Sequence, residues 1–159
     1  MIIGFSGHQN LGTPETQEWL QVAILKELEA RSVSVGISCL AGGGDQLFSQ
    51  IIIDLGKELQ AVIPCSGYEA TFSKKEDADH YRLLLSLAKR QHYQRFDSPS
   101  EQAFYDAGKM VVDLSNMMFF AWNGKPAQGL GGTADIVTYA GDKSVPIVHF
   151  NITTRRVLV

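Results

Sequence analysis

The sequence predicts an α/β protein of the doubly wound, Rossmann-like class, in which helices cover both faces of a mostly parallel sheet. Short apolar runs alternate with longer segments whose apolar residues recur at helical spacing. Strands that alternate with amphipathic helices form βαβ units, which make parallel sheets with right-handed crossovers. Glycine-rich loops follow three of the apolar runs, at residues 7–12, 41–45 and 129–133. These observations together predict the fold class.

Length and composition set the outer limits of the interpretation. A chain of 159 residues that is 45% hydrophobic suits one domain over residues 1–159. The 14 Lys+Arg against 17 Asp+Glu give a net charge of -3 without long runs of either sign, which predicts no nucleic-acid partner and no membrane partner. Cys39 and Cys65 lie outside any Cys/His cluster, so no metal site is predicted. No apolar run approaches about 18 residues and no leader pattern opens the chain, so we expect a cytoplasmic protein.

The first elements follow from hydrophobic pattern and capping signals. Residues 1–6 are an apolar run that reads as a short buried strand. Thr13 and Pro14 supply an N-cap and a first-turn proline for a helix that runs to about residue 31. Apolar and small residues then alternate over 32–40, which predicts the second strand.

The middle of the chain continues the alternation less regularly. Asp45 is placed to cap a helix that ends at Gly56, and residues 60–64 predict the third strand. Residues 65–91 are polar, with a helical stretch after a start that we expect to be a mobile loop. Residues 93–96 predict a short fourth strand.

The last part of the chain contains the clearest helix. A capping-box pattern with Ser98 as the cap and Pro99 at the first helical position precedes apolar residues that repeat at helical spacing as far as Leu114. The remaining elements alternate as before. They are the strand 117–122, the helix 134–140 with Gly141 as its stop, the strand 145–150 and an edge strand in 152–159.

The glycine loop before the helix 134–140 is the feature around which the rest is organised. An apolar strand that ends in such a loop and restarts as a helix aims several backbone N–H groups, and the positive end of the helix dipole, at one point. That point suits a phosphate or a carboxylate. Thr133 would cap the helix or turn its hydroxyl to the anion. The alternative is a tight turn without a ligand, because one glycine loop alone is weak support.

All three glycine loops follow predicted strands, so they would meet in one crevice at the carboxyl edge of the sheet. His8 would bind a phosphate or act as a general base, or else be structural. Asp45 would be a helix cap or hold a ribose hydroxyl. Trp122 and Asn123 would contact a base at the rim. The candidate ligand-binding residues are Gly7, His8, Gly42, Gly43, Gly44, Asp45, Gly129, Gly131, Gly132 and Thr133.

The loops resemble those of the SLOG superfamily in the stretches 4–11, 41–45 and 131–135. That superfamily groups the "lonely guy" phosphoribohydrolases, the DprA/Smf DNA-processing proteins and many nucleotide-ligand sensors. The resemblance implies a Rossmann-like fold that binds a nucleotide or nucleotide-derived ligand across the loops, as a sensor or carrier, with no cofactor required. It also implies a homodimer, because related phosphoribohydrolases pair through helices beside the active site, here the helix 101–114.

Two alternatives accompany this hypothesis. The first is an enzyme that cleaves the N-glycosidic bond of a nucleoside 5′-monophosphate, and the weaker one is a DNA-processing accessory like DprA. The phosphoribohydrolase signature Pro-Gly-Gly-x-Gly-Thr-x-x-Glu, laid on this chain from Gln128, puts Ile136 at the catalytic glutamate. Isoleucine cannot accept a proton, so hydrolysis would need Asp135 as the catalytic acid. On a helix that shift of one residue turns the side chain by about 100°.

Overall fold

Strands and helices alternate along the chain in the computed structural model, which describes residues 1–127 and 129–159. None of the helices within these ranges is long and apolar enough to cross a bilayer. The strands are β1 (Ile2–Gly7), β2 (Val35–Ser38), β3 (Glu58–Ile63), β4 (Arg90–Tyr93), β5 (Met117–Trp122), β6 (Ile147–Asn151) and β7 (Arg156–Leu158). The helices are α1 (Pro14–Glu29), α2 (Gly44–Asp54), α3 (Lys75–Leu87), α4 (Glu101–Asp113) and α5 (Thr133–Asp142).

The strands form one sheet in the order β4-β3-β2-β1-β5-β6-β7. Every neighbouring pair is parallel except β6 and β7, which are antiparallel. The predicted α/β class with a doubly wound, mostly parallel sheet is therefore confirmed. Chain order reverses at β1, which pairs with β2 on one side and with β5 on the other. In such sheets a crevice opens at the reversal, beyond the carboxyl ends of the two strands.

Two apolar clusters cover the two faces of the sheet. One packs α1, α2 and α3 around Phe5 and Phe119, and the other packs α4 and α5 around Met118 and Phe120. Consecutive β5 residues thus alternate between the clusters, as the pleat of a strand requires. The Phe5 and Phe48 rings stack at 4.9 Å between centroids, directly below the reversal point. The sheet end that carries the loops therefore rests on packed aromatic rings.

The helix starts agree in part with the capping predictions. Thr13 caps α1, because its side chain accepts a hydrogen bond from the Thr16 N–H at 3.2 Å. The cap of α4 is Ser100, which accepts from the Ala103 N–H at 3.0 Å. The prediction of Ser98 as the cap was wrong by two residues. Both serines fit the local pattern, and the burial of Ala103 against the sheet favours the later one.

Several boundaries also differ from the predictions. The α5 helix continues through Gly141, whose Cβ position is open space, so an internal glycine is tolerated there. The β4 strand begins at Arg90, where it pairs with Gln60, and is therefore three residues earlier than expected. The expected mobile loop contains a 3-10 turn, Tyr68–Thr71. Tyr68 is buried there and donates its hydroxyl to the Cys39 carbonyl at 3.0 Å.

Candidate functional site

A crevice of about 950 Å³ opens at the carboxyl ends of β1 and β5. Members of all three predicted glycine loops line it, together with both predicted rim residues. The structure thus brings together Gly7, His8, Gly42, Asp45, Trp122, Asn123, Gly131, Gly132 and Thr133. Binding of a ligand by these residues stays a prediction.

Three helices begin at the crevice, which gives it a positive electrostatic character without many cations. Thr13 and Thr16 from the start of α1, Asp45 from α2, and Thr133 from α5 all line it. The first N–H groups of a helix have no partner within the helix, and its dipole is positive at that end. In the part of the crevice lining that the structure describes, only two residues are Lys, Arg, Asp or Glu. They are Lys125 and Asp45. The crevice therefore suits an anion bound through backbone N–H groups and hydroxyls.

The loop before α5 is held by its own helix. Asp135 Oδ2 accepts a hydrogen bond from the Gly131 N–H at 2.9 Å. Gly131 has φ +88°, and a Cβ there would lie 3.0 Å from the Tyr105 backbone nitrogen. Asp135 is not among the described residues that line the crevice. Its carboxylate fixes the loop, and this contact favours a positioning role. Catalysis by Asp135 stays a prediction.

The residues around the start of α5 differ from the predictions in one respect. The helix cap is Gly132, with no side-chain capping bond, so Thr133 is the first helical residue rather than the cap. Thr133 is 8% exposed and lines the crevice, as does Ile136, which is 2% exposed. The position at which the phosphoribohydrolase signature would place its glutamate is therefore an apolar part of the crevice wall. The first residue of that signature, Gln128, lies outside the described residues, and Gly129 is not part of the described lining.

Gly43 and Gly44 hold the second loop against the first. The Gly44 N–H donates to the His8 carbonyl at 3.1 Å. Gly43 has φ +80°, and a Cβ there would lie 2.2 Å from the Gln9 carbonyl oxygen. Neither glycine is among the described lining residues. Their contacts favour close backbone packing over the predicted ligand contact.

Asp45 links α2 to the central strand. The residue is 5% exposed, and its Oδ1 accepts from the Gly7 N–H at 3.2 Å. The predicted capping role was wrong, because α2 has Gly43 as its cap and no side-chain capping bond. Burial raises the pKa of Asp45 from 3.8 to about 7, against backbone hydrogen bonds from Ala41, Gly7 and Cys39 that lower it. Near neutral pH this carboxyl can therefore donate or accept a hydrogen bond.

His8 joins the loop after β1 to the loop after β5. Its backbone N–H donates to the Ala121 carbonyl at 3.0 Å, and its Nε2 accepts a long contact of 3.4 Å from the Asn123 N–H. Asn123 Oδ1 in turn accepts from the Lys125 N–H at 2.9 Å, and Trp122 Nε1 donates to the Lys125 carbonyl at 2.8 Å. These contacts form a turn that brings Lys125 to the crevice.

The sequence interpretation missed part of the site. Phe104 looked like one more core residue on the apolar stripe of its helix, but it lines the crevice with Tyr68 and Phe72. The Tyr68 ring lies 5.3 Å from Phe72 and 6.1 Å from Phe104, measured between centroids. Thr16 and Lys125 also line the crevice, and no local pattern singled them out.

The fold is similar to that of two solved structures of DNA processing protein A (DprA). For the protein from Streptococcus pneumoniae the TM-score is 0.65 with 16% identity over 92% of this chain. For the protein from Helicobacter pylori it is 0.67 with 17% identity over 94% of this chain. The chain spans 49% and 64% of those two chains, less than two thirds of either. Its sequence matches no protein-family model and no curated protein.

These comparisons correct one expectation. The Helicobacter pylori protein, of which this chain spans 64%, binds single-stranded DNA. The expectation of no nucleic-acid partner, which rested on the net charge of -3, is contradicted by this finding. Net charge averages the whole surface, whereas helix N-termini create an anion site without adding Lys or Arg.

Proposed function

We propose that this chain, which shares its fold with DprA proteins, is a nucleotide-binding protein of the SLOG type. The observation that carries the proposal is that one crevice joins helix N-termini with an aromatic wall. A phosphate suits the helix N-termini, because N–H groups and a positive dipole end attract an anion. A base suits the aromatic wall, because every base has a flat π-face that stacks on aromatic rings.

The phosphate is assigned to the start of α5. Gly131, Gly132, Thr133 and Ala134 all line the crevice there, and the bond from Gly131 to Asp135 holds the loop in one shape. Lys125 approaches from the preceding turn and supplies a positive charge. A fixed loop loses little conformational freedom on binding, which favours affinity.

The proposed role is binding by a sensor or carrier rather than hydrolysis. Ile136 offers no proton at the position where the phosphoribohydrolases carry their catalytic acid. Asp135 is engaged with the Gly131 N–H at 2.9 Å. Asp45 is the only Asp or Glu residue in the described part of the lining, and its carboxyl group accepts a hydrogen bond from the Gly7 N–H.

The first test is a thermal scan with 5′-monophosphates and the matching nucleosides of the four common bases. We expect a monophosphate at 100 times its Kd to add about 2.7 kcal/mol to the free energy of unfolding. For a domain of this size that raises the Tm by roughly 5–10 °C, and the nucleoside should raise it far less. Gly132→Asp should abolish the shift, because it puts a carboxylate where the phosphate would bind.

The matched control is Gly141→Asp, at the other end of the same helix, where nothing lies within 4 Å of the new Cβ. This variant adds the same charge and should keep the full nucleotide-induced shift. The Tm without ligand shows whether each variant is folded. A folded Gly132→Asp protein that still gives the full shift would mean that the glycine loop is only a structural turn.

A second candidate function is binding of single-stranded DNA, and the fold similarity to the Helicobacter pylori protein favours it. The same crevice would then hold one nucleotide of a longer strand. Fluorescence anisotropy with a labelled oligothymidine measures this directly. If about three phosphates are contacted, affinity should fall roughly 20-fold between 50 and 200 mM salt. If the oligothymidine does not bind at 50 mM salt, the DNA-binding function is refuted. If a nucleoside monophosphate competes with the oligothymidine, both ligands bind in one crevice.

A homodimer and a cytoplasmic location remain predictions. The apolar stripe of α4 is largely used within the chain, because Ala107, Val111 and Val112 are buried in the second core cluster. A dimer contact at this helix would therefore use residues that the sheet leaves uncovered, such as Leu114, which caps the end of α4.

A further inference from the structure

A serine near the end of the central strand faces the crevice on the side of α4 and α5. Ser6 is the next-to-last residue of β1, is half-buried and lines the crevice. Phe5 belongs to the apolar cluster on the other face of the sheet, and successive strand residues alternate between faces. In β5 the partner of Ser6 is Phe120, which belongs to the cluster of α4 and α5. Since β1 is paired on both sides, the Ser6 backbone is fixed.

The contact between α4 and α5 separates the proposed base site from the proposed phosphate site. Gly108 of α4 lies so close to α5 that a Cβ on it would collide with Ile136 Cδ1. Both residues line the crevice. Phe104 of the aromatic wall precedes Gly108 by four residues, and Thr133 at the phosphate site precedes Ile136 by three. Each site therefore lies about one helical turn, roughly 5 Å, from this contact.

Ser6 lies at the level of the contact between the two helices. On the same face of β1, two residues before Ser6, a Cβ on Gly4 would lie 2.9 Å from Val111 Cγ1. The α4 helix joins two strands that run in the same direction, so it runs back along the sheet, opposite to β1. Ser6 therefore faces the turn of α4 that precedes Val111, which contains Gly108. This position lies between the base site and the phosphate site, where a nucleotide has its sugar.

The Ser6 hydroxyl has no protein partner within residues 1–127 and 129–159. Other hydroxyls near the sheet do have partners. The Ser38 hydroxyl meets that of Ser49 at 3.1 Å, and Ser115 donates to the Val111 carbonyl at 2.6 Å. No fully buried side-chain oxygen in the described part of the chain lacks a partner, so the Ser6 hydroxyl is open to the crevice. A serine hydroxyl both donates and accepts, which suits a sugar hydroxyl.

We propose that Ser6 binds a hydroxyl of the ribose, so that the crevice prefers a ribonucleotide to the deoxynucleotide that lacks this hydroxyl. This inference rests on the proposed nucleotide-binding function. With the phosphate at the start of α5 and the base on the aromatic wall, the sugar lies against the end of β1. A site that hydrogen-bonds a hydroxyl discriminates against the analogue without it. The 2′- and 3′-hydroxyls are neighbours on the ribose, and the test distinguishes them.

The test is isothermal titration calorimetry with the 5′-monophosphates of adenosine, guanosine, cytidine and uridine and with their 2′-deoxy and 3′-deoxy forms. We expect the wild-type protein to bind at least one ribonucleotide roughly 3- to 10-fold more tightly than one of its two deoxy forms, as is typical of one hydrogen bond. Ser6→Ala should reduce this ratio to below about twofold. The affinity for that deoxy form should be nearly unchanged, because the lost hydroxyl has no partner on it.

The matched control is Ser115→Ala, the same change beside Gly4 and outside the described crevice lining. It should keep the wild-type ratio. A wild-type protein that binds all three forms equally would refute the role of Ser6 and leave the proposed function standing. The full preference in Ser6→Ala would also refute it, and Asp45 would then be the candidate for the ribose contact. Equal loss of ribonucleotide and deoxynucleotide binding in Ser6→Ala would refute it by showing a structural role. A wild-type protein that binds no nucleotide would refute both proposals.

Discussion

Gly43→Ala is expected to cost about 3 kcal/mol or more of the free energy of unfolding and to lower the Tm by roughly 10 °C. Gly43 has φ +80° and ψ -123°, a region that alanine avoids. Its new Cβ would also lie 2.2 Å from the carbonyl oxygen of Gln9, a backbone atom that cannot rotate away. The loop after β1 and the start of α2 would have to separate. Urea denaturation followed by circular dichroism measures the loss.

Gly56→Ala separates the conformational cost of a positive φ from the cost of the steric collision. Gly56 has φ +67° but nothing within 4 Å of its Cβ position, so alanine there has the conformational cost without the collision. We expect about 1 kcal/mol for this variant, or roughly 2–4 °C in Tm. Similar small losses for both variants would mean that the first and second loops are not in close contact.

Asp45 is expected to make the protein less stable as pH rises toward neutrality. Its pKa is about 7 in the folded protein against an ordinary value of 3.8, so the folded state holds the proton more tightly than the unfolded state. Its contribution is complete below about pH 4 and is lost as pH rises through about 7. Between pH 5 and pH 8 this amounts to about 2–3 kcal/mol.

Asp45→Asn should remove that part of the pH dependence, since asparagine keeps an oxygen for the Gly7 N–H but has no proton to lose. The measurement is the urea midpoint of both proteins at several pH values from 5 to 8. The difference between the two curves isolates Asp45 from the other titrating groups. Parallel curves would show that Asp45 ionises normally and is not desolvated in the folded protein.

The elements that could be predicted are those with a strong local pattern. The strand 117–122 matched β5 at both ends, because six consecutive apolar residues leave few alternatives. The polar strand β4 was misplaced because its residues are mostly exposed, and pairing with β3 alone identifies it. At Gly141 the local stop signal was overridden, since α5 continues where no neighbour opposes it.

The candidate site likewise has features that local sequence patterns predict and features that depend on tertiary contacts. That the glycine loops meet in one place follows from the topology, because the carboxyl ends of parallel strands share one edge. What each residue does there depends on contacts distant in sequence. Asp45 carried a helix-capping pattern, but its partner Gly7 lies 38 positions away. Phe104 is likewise assigned to the crevice by packing that no local motif encodes.

The placement of β1 at the centre of the sheet also affects how the chain is made. Ile3 pairs with Gly36 on one side and with Met117 on the other. A ribosome that adds 5–20 residues per second needs roughly 4–16 s to pass from the first partner to the second. During that interval the nascent chain presents one edge of its central strand to other molecules. Ligand cannot protect this intermediate, because the wall that β5 and α5 provide is synthesised later.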